Sequence, residues 1–410
     1  MQDANFSQAQ IKAIRRADVI FVAADGYSLA PSRIRAYSFA KACRDRGLSA
    51  EVISFYDHLG APGHGSSAYR IDDQTKLRLI ALGADLLRLN PTAIFYMQKV
   101  SYHSLSVAIA AGANGNPVVV DYDDFDFHAN SMPRLSQFLP VFGPLPLTVE
   151  MVKHSDLCVC ASRRLMEIVR QFNEKCEFIP TGTDLSIFDV ALRDQVLRDQ
   201  GAERQAGDPV ELIWLGDLWG VQIVSDVMMA VDAFAALPTS IRDLARLTIV
   251  GFGDCWGEFK RMIAERYGDI ANLVMRERIE PAEAPALLAR CDIGLLPLAD
   301  NDFNHCKSPT KMFEYMAMKV AVLGTPVGEV AQIIRDGETG MLAQDIPGYM
   351  RRMGTLILDA GLRRTITERA YDEVLKGYHL GPMGDRLVEL LTQVRDGPRR
   401  KGLEQLIAEA

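Results

Sequence analysis

The feature that most constrains the fold is an alternation of short apolar runs with longer amphipathic segments. Runs such as 17–26, 116–124 and 247–253 are dominated by apolar residues, whereas 32–47 and 223–237 carry them at helical spacing. Short apolar runs of this kind are typical of strands buried on both faces, as in parallel sheets joined through helices. The sequence therefore predicts an α/β protein built from strand–helix–strand units.

These units form two series separated by a polar segment. A chain of 410 residues is too long for one core and indicates about two domains. We interpret residues 189–209, which are charged and nearly free of large apolar side chains, as a linker. We predict an N-terminal domain at 1–188, a C-terminal domain at 210–376, and C-terminal helices at 377–410 that pack back on the N-terminal domain. Open parallel sheets bind ligands beyond the carboxyl ends of their strands, so the expected site is a cleft between the domains.

Composition argues against several classes of protein. The net charge of −8 argues against a nucleic-acid partner for the whole chain. No apolar run approaches the roughly 18 residues of a membrane span, and the first residues lack the apolar core of a secretory signal. The seven cysteines are an odd number in scattered positions, which is typical of reduced thiols in a cytoplasmic protein. Their spacing and that of the histidines predict no metal site.

The N-terminal segment differs from the rest of the chain in its charge. Residues 1–47 hold eight Lys or Arg against four Asp. One interpretation is a set of solvated helix faces. The other is a local surface for phosphate or anionic lipid, which would make the protein peripheral at the inner face of the membrane.

The strongest local pattern is SPTKMFEYMA, at 308–317. Ser308 is a good helix cap, and Pro309 suits the first helical position. Lys311 and Glu314 then lie three apart on one helix face. A helix N-terminus with a lysine is an anion site suited to the diphosphate of a nucleotide, and Glu314 is placed to accept hydrogen bonds from ribose hydroxyls. The alternative is a capped helix whose Lys and Glu form an intrahelical pair.

The longer segment SPTKMFEYMAMKVAVLGTPVGEVAQIIRDGETGML, at 308–342, resembles the donor-binding segment of the retaining glycosyltransferases of family four, the glycosyl transferases group 1 type. Segments 156–169, 178–188, 247–254 and 291–298 resemble further pieces of that family in the same order. The resemblance implies the GT-B fold, in which two Rossmann-like domains with parallel sheets face each other across a cleft. It also implies transfer of a sugar from a nucleoside diphosphate sugar with retention of configuration. No metal or other cofactor is implied, and the acceptor would be a glycan, a lipid-linked molecule or a protein, as in polysaccharide biosynthesis.

The resemblance also implies a set of donor-binding residues. The base would lie near Arg276, Arg278 and Pro297, and the ribose on Glu314. The β-phosphate would lie between Ser308 and Lys311, beside Gly216 at the end of a strand. Lys311 would then act as a catalytic cation that stabilises the leaving diphosphate.

Two departures from the family pattern bear on activity. The position eight residues before Glu314, where the family has a second glutamate, is Cys306. Asp217 and Gln222 stand where the family has an arginine and a lysine that hold the diphosphate. Neutralisation of the diphosphate therefore depends on Lys311, on helix N-termini and on the arginines at 276–278.

In the N-terminal half, a predicted buried strand ends in the sequence DYDDF, at 121–125. We expect Asp123 to act catalytically by positioning an acceptor hydroxyl, with Asp124, Arg33 and Arg35 on the acceptor side. The alternatives are a helix cap, loop aspartates paired with arginine, or a Mg²⁺ site.

Three other functions compete with this interpretation. A dehydrogenase fingerprint beginning at Gly251 and Gly253 would need a third glycine where Trp256 stands, so that pattern fails. A nucleotide-sugar epimerase shares the two-domain fold. A catalytically silent binding or scaffold protein would keep the fold without the diphosphate-binding cations.

Overall fold

The computed structural model describes residues 6–125, 147–199 and 207–398. The chain divides into two compact units. The first comprises Met1–Thr181, Cys306–Ser308 and Leu380–Ala410, and the second comprises Gly182–His305 and Pro309–His379. Parts of three predicted segments lie outside the described residues: 1–5 of the basic segment, 200–206 of the linker and 399–410 of the C-terminal helices.

The described part of the first unit is built on a six-stranded parallel sheet. Its strands are β1 (Val19–Ala23), β2 (Ala50–Ser54), β3 (Ile94–Gln98), β4 (Val118–Tyr122), β5 (Leu157–Cys160) and β6 (Cys176–Phe178). They lie in the order β2-β1-β3-β4-β5-β6. Every residue of β1, β3 and β4 is buried, as expected for the apolar runs that helices cover on both faces.

Helices flank this sheet. They are Gln8–Ile14, Ala30–Ser32, Arg33–Ser38, Phe39–Arg44, Phe55–Leu59, Gly65–Arg70, Asp73–Leu87, Ser104–Asn114, Leu147–His154, Arg163–Val169 and Leu380–Asp396. Gly65–Arg70 is a 3₁₀ helix, and Arg33–Ser38 is a π-helix inside the predicted helix at 32–47. The Leu380–Asp396 helix buries Leu387 and Leu391 in the core of the first unit. Arg46 holds the same helix through hydrogen bonds to the Asp385 carboxylate and the Gly381 carbonyl.

The described part of the second unit has a sheet of the same kind. Its strands are β7 (Val210–Asp217), β8 (Ala245–Phe252), β9 (Leu273–Glu277), β10 (Ile293–Leu296), β11 (Ala321–Gly324) and β12 (Met341–Leu342), in the order β12-β11-β10-β7-β8-β9. All of its strand pairs are parallel. The two sheets match the predicted pair of Rossmann-like sheets.

The helices of the second unit include one in the segment predicted as a linker. They are Val190–Asp199, Val221–Ala235, Thr239–Arg242, Trp256–Tyr267, Pro281–Glu283, Ala284–Leu288, Asp302–Cys306, Thr310–Ala317, Gly328–Ile333, Ile346–Leu358 and Ala360–Gly377. In the Val190–Asp199 helix, the Arg193 guanidinium donates to the carbonyls of Met318 and Lys319, both at 2.7 Å. Residues 190–199 are therefore a helix of the second unit, and the prediction missed it because the helix buries no side chain fully.

Internal contacts occupy several of the basic side chains in residues 1–47. Arg44 donates to the Ala50 carbonyl, and Lys41 forms an ion pair with Asp45. Arg46 holds the Leu380–Asp396 helix, as described above. Among the described residues, no helix is long and apolar enough to cross a membrane.

Candidate functional site

The first unit uses Arg35 as a structural residue. Its guanidinium binds both oxygens of the Asp121 carboxylate, with Nη2 at 2.6 Å from Oδ1 and Nε at 3.0 Å from each oxygen. Its Nη1 donates to the carbonyls of Ile179 and Pro180 at 2.7 and 3.0 Å. Both side chains of the ion pair are 0% exposed. The prediction that Arg35 contacts an acceptor is wrong, because burial and these bonds leave it inside the core.

The two carboxylates that follow β4, Asp123 and Asp124, both contact the ammonium of Lys99. The Lys99 ammonium lies 2.6 Å from Asp124 Oδ2 and 3.3 Å from Asp123 Oδ1. Asp123 is 7% exposed and also lies 3.5 Å from the Gln98 amide. Burial opposes ionisation of Asp124, but the Lys99 and Lys307 cations hold its pKa below the ordinary value. Asp124 is therefore held ionised, and Lys99 partly neutralises its charge.

Lys99 was not among the predicted site residues. It has a φ of 60°, which is rare for a residue other than glycine. Such backbone strain concentrates at functional sites. The signal in the sequence was that Lys99 follows β3, the strand beside β4, so its side chain and Asp123 leave the sheet at the same edge.

A polar cluster at the end of β1 was not predicted. His64 Nε2 lies 2.7 Å from Ser28 Oγ, and His64 Nδ1 accepts from the Gly26 amide at 3.3 Å. The Asp25 carboxylate lies 3.6 Å from Nδ1, and the His64 ring stacks on Tyr56 with centroids 4.1 Å apart. The sequence offered no signal for this cluster, because His64 comes from a loop far along the chain from Asp25. Among the described residues, no group of three or more His, Cys, Asp or Glu side chains is arranged to hold a metal.

In the second unit, Lys311 lies against the end of β7. Its ammonium is 4.4 Å from the centroid of the buried Trp214 ring, a cation–π contact. A Cβ at Gly216 would lie only 2.7 Å from Lys311 Nζ and 2.9 Å from the Trp214 ring. Glycine at 216 therefore lets the ammonium approach the strand backbone. The structure therefore brings Gly216 and Lys311 together.

The helix that carries Lys311 begins at Thr310, so one detail of its predicted start is wrong. The N-cap is Pro309, and Ser308 Oγ instead accepts a hydrogen bond from the Thr181 amide at 3.1 Å. The first N–H groups of the Thr310–Ala317 helix are thus without a serine cap, which keeps them suited to an anion. Glu314 lies one turn along and is 5% exposed. Tyr315 of the same helix packs against Gly294 of β10, where a Cβ would come within 2.3 Å of its ring.

The loop after β10 is held by a buried carboxylate. Asp226 is 4% exposed and accepts from the Ala299 amide at 3.0 Å and from the Asn304 side chain at 3.1 Å. Gln222 donates to the same carboxylate at 3.2 Å. Gln222 therefore braces this loop, at a position where the resemblance leads one to expect a phosphate-binding lysine.

Cys306 and His305, the last two residues of the Asp302–Cys306 helix, are held by internal contacts. Cys306 is 1% exposed and packs in the apolar core of the first unit, so it offers no polar group in place of the family's glutamate. His305 forms an ion pair with Asp300 at 2.7 Å.

The residues predicted to hold the base lie on two strands that are not neighbours in the sheet. Arg276 and Arg278 are exposed at the end of β9, where the Arg278 guanidinium covers the Phe252 ring at 4.7 Å. Pro297 is buried after β10. In the sheet, β7 and β8 separate β10 from β9, and these three strand spacings amount to about 14 Å. The two groups therefore lie on different parts of the sheet edge, and Arg278 over the Phe252 ring offers a planar surface on the β9 side.

Comparison with known proteins identifies the architecture. Residues 209–359 match the family described as Glycosyl transferases group 1. A glycosyltransferase of Rickettsia africae aligns over 93% of this chain and 100% of its own, with a TM-score of 0.66 at 14% identity. HepE of Anabaena, solved with UDP and glucose, aligns over 91% of this chain and 99% of its own, with a TM-score of 0.66 at 15% identity. The chain has the GT-B fold.

A curated relative matches part of this GT-B chain in sequence. It is the N-acetyl-α-D-glucosaminyl L-malate synthase of Bacillus anthracis, 29% identical over 169 residues. The match spans 41% of this chain and 41% of that relative, well under half of either protein.

Proposed function

We propose that this GT-B protein is a glycosyltransferase that moves a sugar from a nucleoside diphosphate sugar to an acceptor hydroxyl. The observation that carries the proposal is the placement of Lys311 at the end of β7, with Glu314 one turn along the same helix. The match of residues 209–359 to the Glycosyl transferases group 1 family supports it, since that segment contains both residues. UDP is the first nucleotide to test, because HepE was solved with UDP-glucose.

In the proposed reaction, the Lys311 ammonium stabilises the negative charge that develops on the leaving diphosphate. Its ammonium is held by the Trp214 ring before the donor binds, so little reorganisation is needed as charge appears. The N–H groups at the start of the Thr310–Ala317 helix bind the phosphate, and Glu314 accepts hydrogen bonds from the ribose. The bond from the sugar to the phosphate oxygen breaks as the acceptor oxygen bonds to the same carbon. The acceptor oxygen attacks from the face that the phosphate leaves, and the acceptor proton passes to the departing phosphate. Attack on that face retains the configuration without a covalent intermediate on the protein.

On the acceptor side, we propose that Asp123 and Asp124 position the hydroxyl, with Arg33 as a neighbouring cation. Lys99 lies within 3.3 Å of both carboxylates and holds the pKa of Asp124 below its ordinary value. A glycan, a lipid-linked molecule or a protein would serve as acceptor. We propose that the reaction uses no metal, since Lys311 and backbone amides supply the positive charge.

Titration calorimetry of the full chain tests donor binding. The ligands are the glucose and N-acetylglucosamine conjugates of UDP, and the glucose conjugates of GDP, ADP and dTDP. We expect one nucleotide to bind and Glu314→Gln to weaken it by about 1–3 kcal/mol, because buried ribose hydroxyls lose a charged acceptor. Glu329→Gln is the matched control, since Glu329 is another buried glutamate of the same unit. The proposal fails if the wild-type chain binds none of these ligands.

A second candidate is a nucleotide-binding protein without turnover. Burial of Cys306 favours it, because the family's glutamate at that position has no polar replacement there. Donor binding without release of nucleoside diphosphate in the presence of a mixed acceptor pool would support this candidate.

A further inference from the structure

Two aromatic side chains at the carboxyl edge of the second sheet have no role in the chemistry above. Trp219 follows β7 and is 45% exposed, and Phe303 lies in the short helix Asp302–Cys306 that comes after β10. Their ring centroids are 5.7 Å apart with an interplanar angle of 73°, an edge-to-face contact. Because β7 and β10 are neighbouring strands, this Trp219–Phe303 pair lies at the edge where Lys311 meets Gly216.

The backbone around Trp219 is fixed on both sides. The preceding residue, Leu218, is fully buried; its amide donates to the Phe252 carbonyl at 2.8 Å, and its carbonyl accepts from the Cys255 amide at 2.9 Å. Gly220 then begins a helix, because its carbonyl accepts from the Ile223 amide at 3.1 Å. Trp219 is therefore exposed on a well-anchored turn.

The short helix that carries Phe303 is anchored equally well. The residue after it, Asn304, is 1% exposed and donates to the Asp226 carboxylate and to the Ala299 carbonyl. Gly328 has a φ of +54°, and a Cβ there would lie 2.7 Å from the Asn304 carbonyl oxygen. The close approach of the Gly328–Ile333 helix therefore confines the Asp302–Cys306 helix as well.

We propose that the Trp219–Phe303 pair is a stacking platform for the pyranose ring of the donor sugar. A pyranose presents a face of C–H groups and a rim of hydroxyls, so an exposed aromatic face fixed beside a phosphate site complements it. The sugar is bonded directly to the phosphate that Lys311 binds, whereas the base lies at the other end of the diphosphate. This inference rests on the proposed function and names Trp219 as a residue that determines sugar specificity.

Paired titrations of the full chain with UDP and UDP-glucose test the platform. Trp219→Ala should weaken UDP-glucose binding about tenfold, the size expected for losing one aromatic stacking contact. UDP binding should stay at the wild-type value, because UDP lacks the sugar. Trp219→Phe should retain most of the affinity for UDP-glucose. Leu244→Ala is the matched control, since Leu244 is 50% exposed at the opposite end of the same sheet.

Other results of these titrations would overturn either the stacking platform alone or the proposed function as well. Equal losses for UDP and UDP-glucose would make Trp219 a base-stacking residue, and unchanged affinity for both would remove it from the donor site. Either result overturns the platform and leaves the proposed function standing. If wild-type protein binds another nucleotide, that nucleotide and its glucose conjugate replace the UDP pair. If it binds no nucleotide sugar at all, the proposed function fails, and the platform with it.

Discussion

Replacing Arg35 with alanine should destabilise the first unit severely and leave the second unit intact. The change leaves the Asp121 carboxylate without its guanidinium partner in a site where both side chains are 0% exposed. The carbonyls of Ile179 and Pro180 lose a donor as well. Breaking a buried ion pair by removing one partner costs about 3–5 kcal/mol of unfolding free energy.

The chain allows the two units to be followed separately during urea unfolding. All three tryptophans, at 214, 219 and 256, belong to the second unit. In Arg35→Ala, far-ultraviolet circular dichroism should show a transition at lower urea, while the transition seen by tryptophan fluorescence stays in place. Arg44→Ala is the control, because Arg44 is bonded to the Ala50 carbonyl in a partly buried contact. A loss in Arg35→Ala no larger than that of Arg44→Ala would refute the structural role assigned to Arg35.

Three further predictions follow from the same geometry. Gly216→Ala should weaken nucleotide binding about tenfold, because a Cβ 2.7 Å from Lys311 Nζ displaces the ammonium; unchanged affinity in calorimetry would remove Lys311 from the phosphate site. Burial lowers the pKa of His103 to about 4 from 6.5, so the unfolded chain binds its proton more tightly. The stability of the first unit should therefore be lost as pH falls from about 6.5 towards 4, by about 2–3 kcal/mol from this group, and His103→Phe should flatten that part of a urea-unfolding profile measured against pH. Turnover should survive EDTA, and a loss restored by Mg²⁺ would instead place a metal at Asp123 and Asp124.

The order of strands and helices could be predicted because it depends on local pattern. A fully apolar run such as β4 must be covered on both faces, and an amphipathic segment such as 223–237 supplies the cover. The structure places helices and strands close to these segments. The helix Val190–Asp199 escaped prediction because it buries no side chain fully. Its bond from Arg193 to the Met318 carbonyl is a long-range contact that periodicity does not encode.

The candidate site was predictable only where its residues share one segment. Lys311 and Glu314 lie on one helix, so their spacing was sufficient to place them together. Sequence alone left the partner of Arg35 open, since Asp121 lies 86 residues away. The separation of Arg278 from Pro297 follows from a sheet order that local sequence patterns do not determine.

The most direct test of the central claim is the turnover number of Lys311→Met. Methionine keeps an apolar chain against Trp214 and removes only the ammonium. Turnover, measured as nucleoside diphosphate released from the donor that calorimetry identifies, should fall by about 10²–10³, as when one preorganised donor is removed from a transition state. Binding of the nucleoside diphosphate should fall much less, because the helix N-terminus remains. Lys319→Met is the control, since Lys319 also lies over an aromatic ring, that of Tyr371 at 5.2 Å, but precedes β11 at the other end of the sheet. Near wild-type turnover in Lys311→Met would contradict the account.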